Sequence, residues 1–379
     1  MNNSIIYVGY IDTPLSKNRH VVSPAGSSKM RYVSDVISEC GYQVDMISMA
    51  RPSSRQLRFF GTEELNLSKN IRVFFLPFLC SNFIVIRKLS SIFQMFCLIL
   101  FFIRVVRKRT KVVVYHSLSY ASIIFILKKL IDFELILEVE EVYSDVKKVM
   151  YINKIIEKQL FGVADAYIFP TEMIDDKVNV GKRPSIIIYG NYFVLPISNE
   201  KIGDGKVHIL YSGTFNERKG GVISTIQSGE FLDSRYHIHI TGTGTEDEIR
   251  KIEELIQNVS QRTTCKITYD GFIPNKDFIS YIQQFNIGLS TQNPDDGLSS
   301  SCFPSKILIY LSNGLTVLSS KAPAVLHSRL ASEIFFYERQ SPLDIAQALK
   351  LIPLNINKQN VVKQLDKECR QKMKDLLLN

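Results

Sequence analysis

Short runs of apolar and β-branched residues alternate along the chain with longer segments of helical period. This alternation predicts βαβ units, which form largely parallel sheets covered by helices. The first half contains six predicted strands, at 4–10, 43–48, 71–76, 111–116, 134–139 and 165–170. A stretch rich in Pro, Gly and charge at 195–205 is typical of a linker. Six further strands are predicted after it, at 206–213, 236–242, 265–271, 286–290, 315–320 and 333–337.

The chain is therefore predicted to be an α/β protein with two Rossmann-like, doubly wound domains. Its 379 residues exceed the ~100–200 of a typical domain, and 45% hydrophobic residues can fill two cores. We expect a first domain at 1–198, a second at 199–355, and a C-terminal helical segment at 356–379 that packs back on the first. Ligands of such sheets bind beyond the carboxyl ends of the strands, so two domains facing a cleft would carry binding loops on both walls.

The cysteines and the N-terminal residues indicate a cytoplasmic protein. The six cysteines are scattered, with no Cys-x-x-Cys pair and no zinc-site spacing. Residues 1–14 lack the basic, apolar and small-residue regions of a secretory signal, and they include the first predicted strand. We therefore expect a reducing cytoplasmic environment.

The net charge of +9 is concentrated in one segment. Residues 51–111 contain twelve Lys or Arg against Glu63 and Glu64, a local net charge of +10. Such a basic field attracts the phosphates of nucleic acid, of an anionic membrane or of a phosphorylated substrate, and composition alone does not distinguish these partners.

The second half begins with a strand that ends in a glycine loop, YSGTFNERKGG at 211–221. Gly213 allows a ligand to approach the backbone, while the following helix start and Lys219 supply positive charge, so the loop suits a diphosphate. An ordinary glycine turn with a solvated lysine explains the same residues. The next strand ends near Gly242 and Gly244, which are only part of a dinucleotide fingerprint. Thr245 and the three acids after it are explained as a helix N-cap.

The segment 290–320 carries the most specific pattern. It contains a polar loop, Pro304 at a predicted first helical position, a short helix and another strand. Small residues at 299–303 would present free backbone amides at the helix N-terminus, and Lys306 one turn inside reaches the same anion. A capping motif alone would explain this pattern, but its position after a strand, beside two glycine loops, favours a phosphate site.

At this point a family resemblance is visible. The chain resembles the C-terminal domain of GT-B-fold glycosyltransferases, in particular family-4-like enzymes of bacterial polysaccharide and lipopolysaccharide assembly, in four segments: YSGTFNERKG, ITGTGTE, YDGFIPNKDFISYIQQFNIGLS and FPSKILIYLSNGLTVLSS. In the first half, ECGYQVDMIS and FGVADAYIFPTEMIDDKV are similar to segments of the same family. The resemblance implies the GT-B architecture and a nucleotide-sugar donor bound mainly by the second domain.

The resemblance also implies roles for single residues. Lys219 matches the lysine that holds the donor diphosphate, and His116 matches a frequent active-site histidine, although a strand-end histidine without a role would look the same. Ala25, Gly26 and Ser27 match the glycine-rich loop that closes on the donor. The residues implied to bind the nucleotide sugar are Gly26, Gly213, Thr214, Lys219, Gly242, Gly244, Phe272, Ile273, Ser300, Ser301, Pro304, Ser305 and Lys306.

Two departures from the family pattern concern the donor site. Thr214 stands where the family commonly has an arginine, and Cys302 and Ile309 stand where it has a pair of glutamates. The second of these glutamates ordinarily holds the donor ribose, so that contact would have to come from elsewhere, for example Asp295 or Asp296.

No metal or other cofactor is expected. The chain has no Asp-x-Asp triplet, and His237 and His239 alternate along a strand without a matching acid cluster, which favours a structural placement. The resembled family is generally metal-independent, so lysines and helix N-termini would supply the counter-charge. For Glu138, Glu140 and Glu141, which follow the 134–139 strand, we expect solvation at the surface rather than acid-base catalysis.

Residues 83–111 combine an apolar run with basic flanks. The uncharged stretch from Leu89 to Ile103 has 15 residues, short of the ~20 that span a bilayer core. A buried helix explains the run but not the flanks, whereas a helix lying partly on an anionic inner-membrane surface explains both. The residues expected to face the membrane are Arg87, Lys88, Arg104, Arg107, Lys108 and Arg109.

The sequence thus predicts a cytoplasmic, peripherally membrane-bound glycosyltransferase. It would move a sugar from a nucleoside-diphosphate donor to a lipid-linked or growing saccharide, with retention of anomeric configuration as the resemblance implies. A nucleotide-sugar epimerase on the same fold and a catalytically weakened partner subunit remain as alternatives. Nucleic-acid binding is disfavoured, because the basic segment surrounds an apolar helix and contains no recognition module.

Overall fold

A computed structural model describes the chain over residues 4–18, 20–146, 148–197, 200–215, 221–294, 302–354 and 356–378. The chain forms two compact units. The first comprises Met1–Asn191 with Glu368–Asn379, and the second comprises Tyr192–Lys367.

The first unit is built on strands that pair mostly in parallel. Its strands are β1 (Ser4–Gly9), β2 (Gln43–Ser48), β3 (Arg58–Phe60), β4 (Glu63–Ser68), β5 (Ile71–Phe75), β6 (Phe78–Cys80), β7 (Lys111–Tyr115), β8 (Glu134–Glu138), β9 (Ala166–Phe169) and β10 (Ser185–Ile187). Its helices are α1 (Pro24–Glu39), α2 (Ile84–Val105), α3 (Ala121–Ile131), α4 (Tyr143–Val146), α5 (Tyr151–Val163) and α6 (Glu172–Val178).

Eight of these strands form one sheet in the order β10-β9-β8-β7-β1-β2-β5-β4. Neighbours are parallel except for β4, which runs antiparallel to β5 at the edge, while β3 and β6 form a separate antiparallel pair. Strand order reverses between β1 and β7, so their carboxyl ends mark the switch point at which doubly wound sheets bind ligands. The central strands are nearly continuous runs of Val, Ile and Leu, as expected for parallel strands buried on both faces.

The second unit contains one six-stranded sheet. Its strands are β11 (Val207–Thr214), β12 (Tyr236–Thr243), β13 (Lys266–Tyr269), β14 (Ile287–Ser290), β15 (Thr316–Ser319) and β16 (Phe335–Phe336). Its helices are α7 (Gly221–Ser228), α8 (Glu246–Ser260), α9 (Asn275–Ile282), α10 (Ser305–Ser312), α11 (Pro323–Leu326) and α12 (Pro342–Leu351). A last helix, α13 (Gln359–Leu378), is divided between the two units at Lys367.

The order of the second sheet is β13-β12-β11-β14-β15-β16, with every pair parallel. Numbered from β11, this is the 3-2-1-4-5-6 order of a dinucleotide-binding Rossmann fold, and its switch point lies between β11 and β14. The predicted α/β class with two doubly wound sheets is therefore confirmed. All twelve predicted strands are present, and within the described residues four more occur that were not predicted, β3, β4, β6 and β10, which are short or lie at sheet edges.

Candidate functional site

The switch point of the second unit brings Lys306 next to Gly213. Lys306 lies in the first turn of α10, and its Nζ is 4.5 Å from the centre of the Tyr211 ring. A Cβ built on Gly213 would lie 3.2 Å from the same Nζ. The missing side chain at Gly213 therefore leaves the lysine room at the end of β11.

Tyr310 fixes α10 against the sheet. Its hydroxyl accepts a hydrogen bond of 3.0 Å from the Ser212 amide, and its buried ring occupies the space that a side chain at Gly288 would need. This packing sets the position of the helix N-terminus relative to the end of β11.

Glycines allow the ends of β11, β12 and β13 to approach one another closely. Gly242 has φ +148°, and a Cβ there would lie 1.7 Å from the Gly213 carbonyl oxygen. The Gly242 amide donates to the Gly271 carbonyl at 3.2 Å, and Thr241 Oγ1 donates to the same oxygen at 2.7 Å. The result is a surface of bare backbone beside Lys306, which suits a ligand that contacts main-chain groups.

The helix N-termini around these strand ends differ in their electrostatics. At α8, Thr245 and Glu248 form a capping box that occupies the Glu248 amide, and the first turn carries three acids, which disfavour an anion. The first turn of α10 has neither a side-chain cap nor an acidic residue, and that of α7 has no acidic residue. The helix dipole attracts anions, so the start of α10 with Lys306 is electrostatically more favourable for an anion than the acidic start of α8.

Contacts between α7 and β14 complete this edge. Thr291, which follows β14, donates from Oγ1 to the Gly221 carbonyl at 2.7 Å, and a Cβ on Gly221 would lie 2.9 Å from the Thr291 carbonyl. Tyr211, Tyr310, Gly221 and Thr291 were not singled out from the sequence. The sequence alone does not indicate these residues, because each of them acts through contact with a residue that is distant in sequence and that only the fold brings close.

The sequence-predicted donor residues divide into three groups. Gly213, Thr214, Gly242, Gly244, Phe272, Ile273, Pro304, Ser305 and Lys306 lie at or directly after the carboxyl ends of the second sheet or in the start of α10. Pro304 is the N-cap of α10 rather than its first residue, so the helix begins one residue later than predicted. Lys219, Ser300 and Ser301, like Asp295 and Asp296, lie outside the described residues. Gly26 and His116 belong to the first unit.

Gly26 lies within a helix and not in a closing loop. Residues 25–27 form the first turn of α1, where the Ser23 hydroxyl accepts a long, 3.4 Å hydrogen bond from the Gly26 amide. A Cβ on Gly26 would lie 3.0 Å from the Tyr115 hydroxyl oxygen, so the glycine brings α1 close to the end of β7. The expectation of a glycine-rich loop is corrected, because Pro24 and Ser23 start the helix before the glycine.

His116 follows β7 and is only 2% exposed. Its ring packs between Tyr143 and Phe161, and neither ring nitrogen makes a hydrogen bond within the described part of the chain. Burial lowers the pKa of His116 to about 4, so its 3.6 Å contact with Glu157 is not an ion pair at neutral pH. A cavity of about 490 Å³ in this unit is lined by Glu157 and Phe161, which separate it from the histidine. The catalytic role of His116 stays a prediction.

Glu138 is fully buried at the end of β8, which corrects the expectation of a solvated carboxylate. The Tyr7 hydroxyl donates to it, and Lys29, itself buried, pairs with Glu140. Burial raises the pKa of Glu138 to about 7, with Lys29 acting against the rise and Glu140 adding to it. Glu138 thus has a pKa close to neutral pH and lies at the carboxyl end of β8, beside the switch point of the first sheet. A group with such a pKa can act as a general acid or base.

Helix α2 exposes its apolar side. Its buried stripe is Ser90, Gln94, Leu98 and Phe102, two of them polar, whereas Leu89, Ile92, Phe93, Phe96, Leu100 and Ile103 are 44–62% exposed. By length and composition alone the 22-residue helix could cross a membrane. Its most apolar 18-residue stretch has a mean hydropathy of 1.8, and 17% of that stretch is buried. Leu98 and Phe102 nevertheless belong to the core of the first unit.

Comparison with known proteins supports the fold. No protein-family model matches the chain, and no curated protein matches it in sequence. Among solved structures, it is similar to a sucrose-phosphate synthase from Thermosynechococcus elongatus, with a TM-score of 0.68 at 15% identity over 99% of this chain and 98% of that one. It is also similar to Anabaena Alr3699/HepE in complex with UDP, with a TM-score of 0.63 at 11% identity over 99% of both chains.

A third similar structure is a UDP-forming α,α-trehalose-phosphate synthase from Burkholderia xenovorans in complex with glucose-6-phosphate. Its TM-score is 0.64 at 10% identity, over 99% of this chain and 98% of that one. At such low identities these similarities show the fold, and with the two doubly wound sheets they define it as the GT-B fold.

Proposed function

We propose that the protein is a glycosyltransferase that uses a UDP-sugar donor. The observation that carries this proposal is the switch point of the second sheet, where Lys306, the N-terminus of α10 without a side-chain cap, and the bare backbone at Gly213 and Gly242 adjoin one another. This combination matches a diphosphate, since it offers one full positive charge, the positive end of a helix dipole and no acidic residue in the first turn of α10. The UDP in the HepE structure and the UDP-forming synthase support the choice of nucleotide.

In the proposed reaction the second unit stabilises the leaving group. As the bond between the sugar and the diphosphate breaks, negative charge develops on the leaving phosphate oxygen. Lys306 and the α10 amides would stabilise that negative charge. Lys219, predicted from the sequence, would add a second cation from the loop after β11. We propose that the anomeric configuration is retained, as in the family that the sequence resembles.

Cys302 and Ile309, both half-buried, replace the two glutamates of the resembled family. This observation supports a second candidate, a catalytically weakened subunit that binds the donor but needs a partner for transfer.

We further propose that the acceptor is lipid-linked and that α2 holds the enzyme on an anionic membrane. The surface of a soluble protein rarely presents a contiguous apolar face of this kind. In α2 the usual pattern is reversed, because the polar Ser90 and Gln94 are buried while Phe93 and Phe96 are exposed. Exposed Lys88, Arg104 and Arg109 flank the apolar face, and cations beside an inserted apolar surface favour anionic headgroups. The stripe that anchors α2 in the core supports a helix lying on the membrane and not crossing it.

A transfer assay tests the proposed function. Purified protein is incubated with radiolabelled UDP-sugars and a lipid extract from the producing cells, and UDP release and labelled lipid are measured. Transfer that disappears in Lys219→Ala and Lys306→Ala, with both variants folded, is the expected result. Release of an epimerised nucleotide sugar without labelled lipid would identify an epimerase. Binding of UDP without transfer, restored by a second glycosyltransferase, would identify a partner subunit.

A further inference from the structure

Three histidines meet in the amino-terminal halves of β11 and β12 in the second sheet. His208 on β11 and His237 on β12 are directly opposite in the parallel register, and His239 lies two residues further along the same face of β12. All three are buried, and one nitrogen of each lies within 4.8 Å of the others. Five residues of extended strand separate His208 from Gly213, about 17 Å. The three rings therefore lie apart from Lys306 and Gly213, although Asp270, which contacts His239, directly precedes Gly271 at the edge of the proposed donor site.

Two aspartates hold the outer nitrogens of two of these rings. His208 Nε2 lies 2.8 Å from Asp204 Oδ1, and His239 Nδ1 lies 2.7 Å from Asp270 Oδ2. Tyr281 also donates to Asp270, which fixes that carboxylate. Carboxylates that accept from an imidazole N–H fix the tautomer and direct the other ring nitrogen inward, the arrangement that accompanies metal-ligating histidines.

The inward nitrogens of these two rings face each other, with His208 Nδ1 2.9 Å from His239 Nε2. Because the outer nitrogen of each ring contacts an aspartate, both inward nitrogens are left to face one small space, in which a single metal ion could take both as ligands.

A third histidine adjoins the pair, since the ring centre of His237 lies 3.7 Å from that of His239. Its contact with Thr268, at 3.1 Å from Nε2, leaves Nδ1 to act as a ligand. Three imidazoles with two aspartates behind them balance the charge of a divalent ion.

We propose that His208, His237 and His239 bind one divalent transition-metal ion, with Zn²⁺ as the preferred ion. Imidazole ligands suit Zn²⁺, which takes them at ~2.0–2.1 Å. Nitrogens around tetrahedral zinc are therefore about 3.4 Å apart, so binding would move His208 Nδ1 and His239 Nε2 apart by about 0.5 Å and would draw nitrogens separated by up to 4.8 Å together by up to about 1.4 Å. The ion would connect the first residues of β11 and β12 with the segment after β13, which carries Asp270.

Metal titration of the full chain tests the site. The protein is stripped with a chelator and titrated with Zn²⁺ by calorimetry, and with Co²⁺ while its visible absorption is recorded. We expect one Zn²⁺ per chain, a higher melting temperature with metal, and the d–d absorption of tetrahedral Co²⁺. His237→Phe should weaken Zn²⁺ binding by at least about 100-fold, and Asp270→Asn by about 10- to 100-fold.

Two controls keep the result interpretable. His327→Ala removes an exposed histidine of the same unit and should leave zinc affinity unchanged. The metal-free melting temperature of each variant shows whether it has folded. Zinc binding that is equally strong in folded His237→Phe, or no stoichiometric binding by wild-type protein, would overturn the proposal.

Discussion

Gly242 is the residue whose substitution we expect to damage the second unit most. Its φ of +148° is rarely adopted by other residues, and a Cβ would lie 1.7 Å from the Gly213 carbonyl oxygen. Gly242→Ala should therefore cost at least about 3 kcal/mol of unfolding free energy. Gly205→Ala is the matched control, because Gly205 also has positive φ, +82°, but no atom within 4 Å of its Cβ position, so only about 1 kcal/mol is expected. Urea denaturation compares the two, and equal losses would contradict the close approach.

His116 makes the stability of the first unit depend on pH. Its pKa is about 4 when folded, against about 6.5 for a free histidine. Between these values the unfolded chain binds more protons, so this residue removes up to about 3 kcal/mol of stability as pH falls from 6.5 to 4. Glu138, with a raised pKa of about 7, acts in the opposite sense, since its contribution is lost as pH rises from about 4.5 to 7.

In the wild type the opposite effects of His116 and Glu138 on the pH dependence of stability offset each other. Variants of each residue are therefore needed to measure the two effects separately. His116→Leu should gain stability relative to wild type as pH is lowered from 6.5 to 4, measured by urea midpoints at each pH. Glu138→Gln should show the reverse, gaining relative stability as pH is raised from 4.5 to 7. A His116→Leu difference that does not change with pH would show that the histidine is not held neutral by burial.

Single residues also show where sequence reasoning stops. Gly213, Gly242 and Lys306 were predicted from their positions after strands, because strand ends and helix starts are local patterns. The metal-site candidate was missed, since His237 and His239 alone resemble core residues. Only the strand register adds His208, and only the fold adds the two aspartates.

Helix α2 is the element whose surface most needs a partner. If it lies on a membrane, Ile92→Asp with Phe96→Asp should lower binding to vesicles of phosphatidylcholine and phosphatidylglycerol at least about tenfold, because two apolar anchors become charged. Leu351→Asp is the control, as Leu351 is 82% exposed in the second unit. Vesicle co-sedimentation measures the effect, and equal losses in the control would point to general repulsion from the anionic surface.

The elements themselves were largely predictable. Each predicted strand reads as an apolar run with turn residues on both sides, a signal that does not depend on tertiary structure. The edge strand β4, EELNLS, alternates exposed and half-buried residues and is rich in charge, so its pairing with β5 is decided by the sheet. The strand pair β3 and β6 has only three residues per strand, too few for a periodic pattern.

The excess positive charge of the chain and the proposed donor site belong to different units. The basic segment 51–111 belongs entirely to the first unit, where Arg72 pairs with Asp45 and Lys111 with Glu134. The rest of the chain is close to neutral, so the second unit would bind a diphosphate through a few placed groups instead of a broad field. A general electrostatic effect and a specific site can thus be distinguished by changing one lysine.

Calorimetric titration with UDP is the most direct measurement of the donor site. Wild-type protein should bind one UDP, and Lys306→Met should bind it at least about tenfold more weakly, a loss of about 1.4 kcal/mol or more, with an unchanged melting temperature. Lys321→Met, which removes an exposed lysine paired with Glu338 in the same unit, should bind like wild type. Absence of UDP binding by wild-type protein, or equal affinity in Lys306→Met, would contradict a nucleotide-sugar site at the switch point between β11 and β14.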